Sequence, residues 1–141
     1  MTTTLTPLIA VHATAAIAAL LIGPVALWAR RGPARAHRPR LHRAAGYAWV
    51  TLMLLTAFSA LFIRDTRLPN IAGFTPIHLL IPLTLGSLFV AFRRLLQGNI
   101  AGHRQAMVSL YIGACVVAGG FTLLPQRYLG HLLWSQWLGL V

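Results

Sequence analysis

The chain alternates four long apolar runs with short basic segments. The runs cover residues 7–29, 44–63, 74–92 and 105–124. Each run is close to the roughly 20 residues that a helix needs to cross about 30 Å of hydrocarbon, so each predicts a transmembrane helix. The tail, residues 128–141, is apolar but too short to span, and Trp134 and Trp137 favour a helix at the membrane interface or over the open end of the bundle.

Together these elements predict an all-α integral membrane protein. We expect a single domain over residues 1–141, built as an up-down four-helix bundle with a short C-terminal interfacial helix. The N-terminal segment Met1–Thr6 has no positive charge, and the apolar run after it is too long for a signal peptide. The first run is therefore expected to stay in the membrane as a helix.

Composition agrees with a membrane protein and removes several chemistries. The chain is 57% hydrophobic and 9% charged, with a mean hydropathy of +0.72, whereas about a quarter of the residues in an ordinary soluble domain are charged. It has no lysine and no glutamate, and Asp65 is its only acid. Lysine Schiff bases, carboxylate pairs and carboxylate-bridged metals are therefore excluded. Cys115 is alone, which excludes an intrachain disulfide and leaves a small apolar filler as the expected role.

Arginine is unevenly distributed between the two ends of the predicted helices. The first and third loops hold nine of the twelve arginines, namely Arg30, Arg31, Arg35, Arg38, Arg40, Arg43, Arg93, Arg94 and Arg104. Because basic loops stay in the cytoplasm, this distribution predicts a multi-pass protein of the bacterial inner membrane with both termini in the periplasm. The partner implied by these arginines is the lipid bilayer and not nucleic acid.

Four histidines mark the ends of the apolar runs in alternation. His12 and His78 open the first and third runs, while His42 and His103 precede the second and fourth. In an up-down bundle this order gives an outer and an inner pair, separated by about 20–25 Å of helix rise. Each pair lies on diagonal helices, roughly 11–14 Å apart, which suits two imidazoles with a metal ion between them. The pattern predicts two bis-histidine haem sites stacked across the membrane.

An internal repeat supports the pairing of the histidines. Thr-Pro precedes both outer histidines, a double arginine closes the helix that follows, and a His-Arg pair opens the next helix. This order describes two helical hairpins related by an axis along the membrane normal. Such an axis places matching histidines opposite each other.

Small residues in the helices and arginines near the helix ends fit haem binding, and each group also has a simpler explanation. Ala16, Ala19 and Gly23 in the first helix, with Gly113 and Gly120 in the fourth, are expected to leave room for a porphyrin, or else to allow close helix packing. Candidate partners for the haem propionates are Arg43, Arg104, Arg40 and Arg94 at the inner level, and Arg127 and Arg67 at the outer level. Lipid headgroups are the alternative partners for these arginines.

Local motifs resemble a family of bacterial four-helix predicted membrane proteins. The shared motifs are Leu41-His42-Arg43, Thr75-Pro76-Ile77-His78, Gly102-His103-Arg104 and the segment 119–127. The layout of the histidines also resembles that of the cytochrome b561 superfamily, without local sequence similarity. That second resemblance implies two haem b groups, bound by His12 with His78 and by His42 with His103. It also implies electron transfer across the bilayer with quinone, superoxide or a redox protein.

Other functions stay open at this point. The His-Arg pairs suit a lipid-headgroup module, or a small non-catalytic subunit of a larger complex. A transition-metal site with two imidazoles per level is a third option, although no carboxylate or thiolate completes its coordination shell. Trp28, Trp49, Tyr47 and Tyr111 are expected near the inner level, lining a quinone pocket or anchoring the interface. Enzymatic turnover, as a transmembrane oxidoreductase, and the oligomeric state are left undecided.

Overall fold

Four long helices dominate the part of the chain that the structure describes. The computed structural model describes residues 6–30, 38–64, 71, 76–123, 130 and 132–139. The helices are α1 (Pro7–Trp28), α2 (Pro39–Phe62), α3 (Leu80–Leu96, after a 3₁₀ turn at Pro76–Leu79) and α4 (Ile100–Thr122). Each of the four, with α3 taken from Ile77, is long and apolar enough to cross a membrane. The predicted all-α fold with four membrane helices is confirmed.

Proline and asparagine set where the helices begin. Pro7 and Pro39 lie in the first turn of α1 and α2, where a missing N–H costs nothing. Asn99 caps α4, and its side chain accepts a hydrogen bond from the Gly102 N–H at 2.8 Å. As a result α2 and α4 each begin five residues earlier than predicted, at 39 instead of 44 and at 100 instead of 105. The inner histidines therefore lie inside the first turn of a helix and not in a loop.

The connection between α3 and α4 is a tight turn. Gly98 has a φ of 73°, the left-handed conformation that glycine adopts without strain after a helix end. The double arginine expected in this loop lies within the last turn of α3 instead. There the Arg94 Nη1 donates a hydrogen bond to the Gly102 carbonyl at 3.1 Å, which ties the end of α3 to the start of α4.

Helices that follow each other in sequence pack against each other, and α1 closes the ring against the middle of α4. This arrangement leaves α1 diagonal to α3, as the bundle prediction requires. One buried cluster joins all four helices through Ala19, Trp49, Met53, Leu88, Leu110 and Cys115. Beyond α4, a π-helical turn at Leu132–Trp137 continues the chain, and the Trp134 indole N–H donates to the Leu123 carbonyl at 2.8 Å. The tail is thus tied to the end of α4.

A proline inside α1 explains how α1 and α4 fit together. Pro24 has no N–H, so the Leu20 carbonyl lacks its usual partner four residues on. The Tyr111 hydroxyl donates to that carbonyl at 3.0 Å. The Tyr111 ring then lies against Gly23, where an added Cβ would be 2.5 Å from two ring carbons. Gly23 was expected to leave room for a porphyrin, but Tyr111 fills that room.

This contact predicts a coupling between Tyr111 and Pro24. Removing the hydroxyl with Tyr111→Phe leaves the Leu20 carbonyl of a membrane-spanning helix without a donor, at an exposed position where hydrocarbon offers none, which we expect to lower the free energy of unfolding by about 1–3 kcal/mol. With Pro24→Ala, residue 24 regains an N–H, so the same substitution is expected to cost roughly 1 kcal/mol less. A double-mutant cycle of detergent-mixture unfolding measures this difference. Equal costs in both backgrounds would contradict the contact.

Candidate haem-ligand site

The two inner histidines are held in the same way. His42 and His103 are each the fourth residue of their helix, α2 and α4. The His42 Nδ1 lies 2.8 Å from the Ala26 carbonyl of α1, and the His103 Nδ1 lies 2.9 Å from the Ala91 carbonyl of α3. Each imidazole thus points back to the other helix of its own hairpin. The structure repeats the hairpin unit that the sequence predicts.

The two outer histidines both contact the end of α2, in different ways. The His12 Nδ1 lies 3.1 Å from the Thr56 carbonyl and 2.9 Å from the Ser59 hydroxyl oxygen. Ser59 donates its own hydroxyl hydrogen to Thr56 at 3.0 Å, so its oxygen accepts from His12. His78 instead uses Nε2, which lies 3.0 Å from the Ile63 carbonyl just past the end of α2.

These bonds fix the tautomer of three imidazoles. A carbonyl oxygen only accepts, so the proton of His12, His42 and His103 lies on Nδ1. In the neutral imidazole the lone pair is then on Nε2, which makes no hydrogen bond within the described residues. Histidines that bind metals are usually held in this way, with the other ring N–H donated to a carbonyl or carboxylate. The three rings are thus held by Nδ1, the arrangement that is common among metal-binding histidines.

The histidines lie at two levels of the bundle. Along α2, His42 and the Thr56 partner of His12 are fourteen residues apart, so the helix rise separates the two levels by about 21 Å. The Ile63 partner of His78 lies seven residues further along α2, or about 10 Å nearer the outer end. The inner histidines thus match each other, and the outer ones are staggered.

Buried residues are small at the histidine levels and large between them. At the inner level they are Ala26, Ala29, Ala45 and Ala91, and at the outer level Ala15, Ala57, Ser59 and Thr84, with Ile81 as the large exception. Between the levels lie Trp49, Met53, Leu88 and Leu110. The fully buried side chains at the histidine levels are thus mostly small, although Phe92 lies against His103, and the apolar layer between the levels also contains the small residues Ala19 and Gly23. Close helix packing produces the same pattern, so the histidines must decide the interpretation.

Several other candidate residues lie away from the histidines or outside the described residues. Arg40, Arg43 and Arg104 are exposed, while Arg67 and Arg127 lie outside the described residues. Their role as propionate partners stays a prediction, and Arg94 is already bound to Gly102. Gly113 and Gly120 are exposed with open space where a Cβ would be, so they do not open room in the core as expected.

The four aromatic residues expected at a quinone pocket do not form one. Trp28 and Tyr47 are 56% and 68% exposed, which suits anchoring at the membrane interface. Trp49 and Tyr111 instead pack against Gly23, inside the bundle. Cys115 is buried with its sulfur 3.6 Å from that of Met53, which agrees with the expected role as an apolar filler.

Sequence reasoning missed the acceptors that orient the imidazoles. Backbone carbonyls have no sequence signature, so Ala26, Ala91 and Ile63 were not predictable as partners. Ser59 could have been predicted as a partner, because a serine buried one turn after Thr56 is a polar group that needs a hydrogen bond. Within the described residues no three His, Cys, Asp or Glu side chains are placed to hold a metal ion together.

Comparison with known families agrees with the membrane architecture. Residues 9–127 match the family described as Predicted membrane protein (DUF2306). The chain belongs to this family. The match covers all four helices and all four histidines discussed above. No curated protein and no solved structure matches the chain.

Proposed function

We propose that this member of the family is a membrane b-type cytochrome that carries electrons across the bilayer through two bis-histidine haems. One observation carries the proposal: His12, His42 and His103 each place Nδ1 within hydrogen-bond distance of an oxygen of a neighbouring helix, which leaves Nε2 of the neutral ring as the lone-pair nitrogen. An imidazole in that state is a metal ligand whose orientation is already fixed. Three such rings in one apolar bundle are more than interfacial hydrogen bonding requires.

The inner pair is the better supported of the two sites. His42 and His103 lie on α2 and α4, at the same position of the helix and with matching carbonyl partners. The fully buried residues around them are alanines, and the half-buried Phe92 ring lies 6.4 Å from the His103 ring, so Phe92 is the large side chain that would have to move for a porphyrin. At the outer level, His78 uses Nε2 for the Ile63 carbonyl, so a bond to iron would involve Nδ1 or a rotated ring.

Haem supplies a reversible one-electron couple, and two axial imidazoles leave no open position for oxygen. The protein's own part is to hold, orient and insulate. The carbonyls of Ala26 and Ala91 hold the inner imidazoles by their Nδ1–H and increase the basicity of Nε2. The apolar layer around Trp49, Met53 and Leu88 separates the two levels and keeps water out between them. The donor and acceptor proposed are quinone, superoxide or a redox protein.

Haem content tests the proposal directly. We expect protein purified from a haem-sufficient host to have a Soret band and split α-bands on reduction, with two haems per chain in a pyridine haemochrome assay. The split is expected because the two levels differ in how their histidines are held. Colourless protein from such a host would end the cytochrome proposal.

A second candidate function is favoured by the position of two acceptors. The Ala26 carbonyl belongs to the last turn of α1 and the Ile63 carbonyl follows α2, so neither has a helical donor. His42 and His78 satisfy them. On this view the histidines only join helix ends, and the chain is a small non-catalytic membrane subunit. The two functions predict different effects of His42→Asn: loss of one haem if His42 is a ligand, and no effect on haem content if it only joins helix ends.

A further inference from the structure

The inner end of the bundle has a cluster of arginines without internal counter-charges. We call Arg40, Arg43, Arg93 and Arg104 the arginine face. All four side chains are exposed, and none forms an ion pair within the described residues. Two neighbours are already engaged: Arg38 lies 5.0 Å from the Trp28 ring centroid, and Arg94 donates to the Gly102 carbonyl. The positive charge of the arginine face is therefore available to an external anion.

The sequence contains no acid to neutralise this face. Asp65 is the only carboxylate side chain, and it follows the opposite end of α2 from Arg40. The first turns of α2 and α4 likewise contain no acid. Counter-charge for four exposed guanidinium groups must therefore come from another molecule.

Three of these arginines lie near helix N-termini, which favour anions. Arg40 lies in the first turn of α2, and Arg43 and Arg104 are the fifth residues of α2 and α4. Helix N-termini have a positive partial charge, so a cation there costs about 0.3–1 kcal/mol, whereas an anion is stabilised. Arginines and helix N-termini at the same end of the bundle together favour a phosphate.

We infer that the arginine face binds the headgroups of anionic phospholipids in the leaflet at the inner end of the bundle. The charge is complementary, and the guanidinium group matches a phosphate with paired donors. The face also lies where headgroups lie, because α2 and α4 enter the membrane directly from it. This inference does not depend on haem binding.

Lipid selectivity in bilayers tests the inference. With the full chain in phosphatidylcholine vesicles, spin-labelled phosphatidylglycerol is expected to associate about fivefold more strongly than spin-labelled phosphatidylcholine, since one basic residue near a membrane surface contributes about a factor of five. The variant Arg40→Gln/Arg43→Gln/Arg104→Gln is expected to bring the ratio close to one. The matched variant with lysine at the three positions keeps the charge and is expected to retain most of the selectivity.

The controls separate other anions from lipid. Inorganic phosphate is expected to change the ratio no more than chloride at equal ionic strength, and duplex DNA is expected not to compete. Equal association of the two lipids with the native chain would overturn the inference. So would selective loss of the ratio with inorganic phosphate, or competition by DNA. If the glutamine variant keeps its lipid ratio and loses haem instead, these arginines serve the haem site and the inference fails while the cytochrome proposal stands.

Discussion

Replacing His42 with asparagine is expected to remove one haem and to leave the bundle folded. The asparagine Nδ2 lies close to where the histidine Nδ1 lies, so it still donates to the Ala26 carbonyl at the end of α1. It has no counterpart of Nε2 and cannot replace the imidazole as a ligand. We expect the haemochrome assay to fall from two haems per chain to one, with helical content and unfolding free energy nearly unchanged.

Alanine at position 42 is the matched control. It removes both the ligand and the hydrogen bond to Ala26, so we expect the same loss of haem with a further destabilisation of about 0.6 kcal/mol, a typical value for a hydrogen bond between membrane helices. If asparagine restores stability and the native chain never contained haem, the helix-joining function is the correct one. If asparagine retains both haems, His42 is not a ligand.

The same substitutions assign histidines to haems. His103→Asn is expected to remove the α-band that His42→Asn removes, because both residues lie at the inner level. At the outer level His12→Asn and His78→Gln are the matched choices, since glutamine places its donor near the Nε2 that contacts Ile63. These two are expected to share the other band. Spectra in which His12 and His42 act together would refute the assignment of pairs.

Gly23→Ala is expected to destabilise the protein by about 1–3 kcal/mol, the usual cost of overpacking a filled interior. The new Cβ would lie 2.5 Å from the Tyr111 ring and 3.1 Å from the Trp49 indole nitrogen. Tyr111 must then move, and its hydrogen bond to the Leu20 carbonyl is strained or lost. Unfolding in mixed detergent micelles measures the loss of free energy.

A second glycine in a helix provides the control with the opposite sign. Gly86 lies inside α3, and nothing lies within 4 Å of where its Cβ would be. Gly86→Ala is therefore expected to be neutral or to stabilise the protein by up to about 1 kcal/mol through helix propensity. If both substitutions have the same small effect, the close approach of α1 and α4 at Gly23 is not present in the membrane.

Hydrophobic run length was enough to predict the four helices, but not where two of them begin. The arginines and histidines before residues 44 and 105 suggested loops, whereas Pro39 and Asn99 start α2 and α4 five residues earlier. Proline at the first helical position and a capping asparagine are both readable from sequence. In this chain the charged residues obscured those signals.

The approximate heights of the histidines in the bundle were predictable from the sequence, but the rotation of the helices was not. Alternation along the runs predicted two levels, and the partners of His12 and His42 do lie about 21 Å apart along α2, whereas the partner of His78 lies about 10 Å beyond that of His12. The rotation of each helix was not readable, because α1 is apolar on all sides and gives no direction to its core face. For that reason Gly23 and Gly113 were both expected to face the core, either beside a porphyrin or in close helix packing, whereas Tyr111 packs on Gly23 and Gly113 is exposed.

The short sequence distance of the inner histidine bonds affects how the molecule assembles. His42 reaches back sixteen residues and His103 twelve, so each bond closes within one hairpin. A hairpin leaving the insertion machinery therefore already contains its own oriented imidazole, and docking of the two hairpins brings the two imidazoles into one bundle. Two separate copies of one such hairpin would make the same junction. Duplication and fusion of the gene for a two-helix protein would therefore produce a bundle with this symmetry.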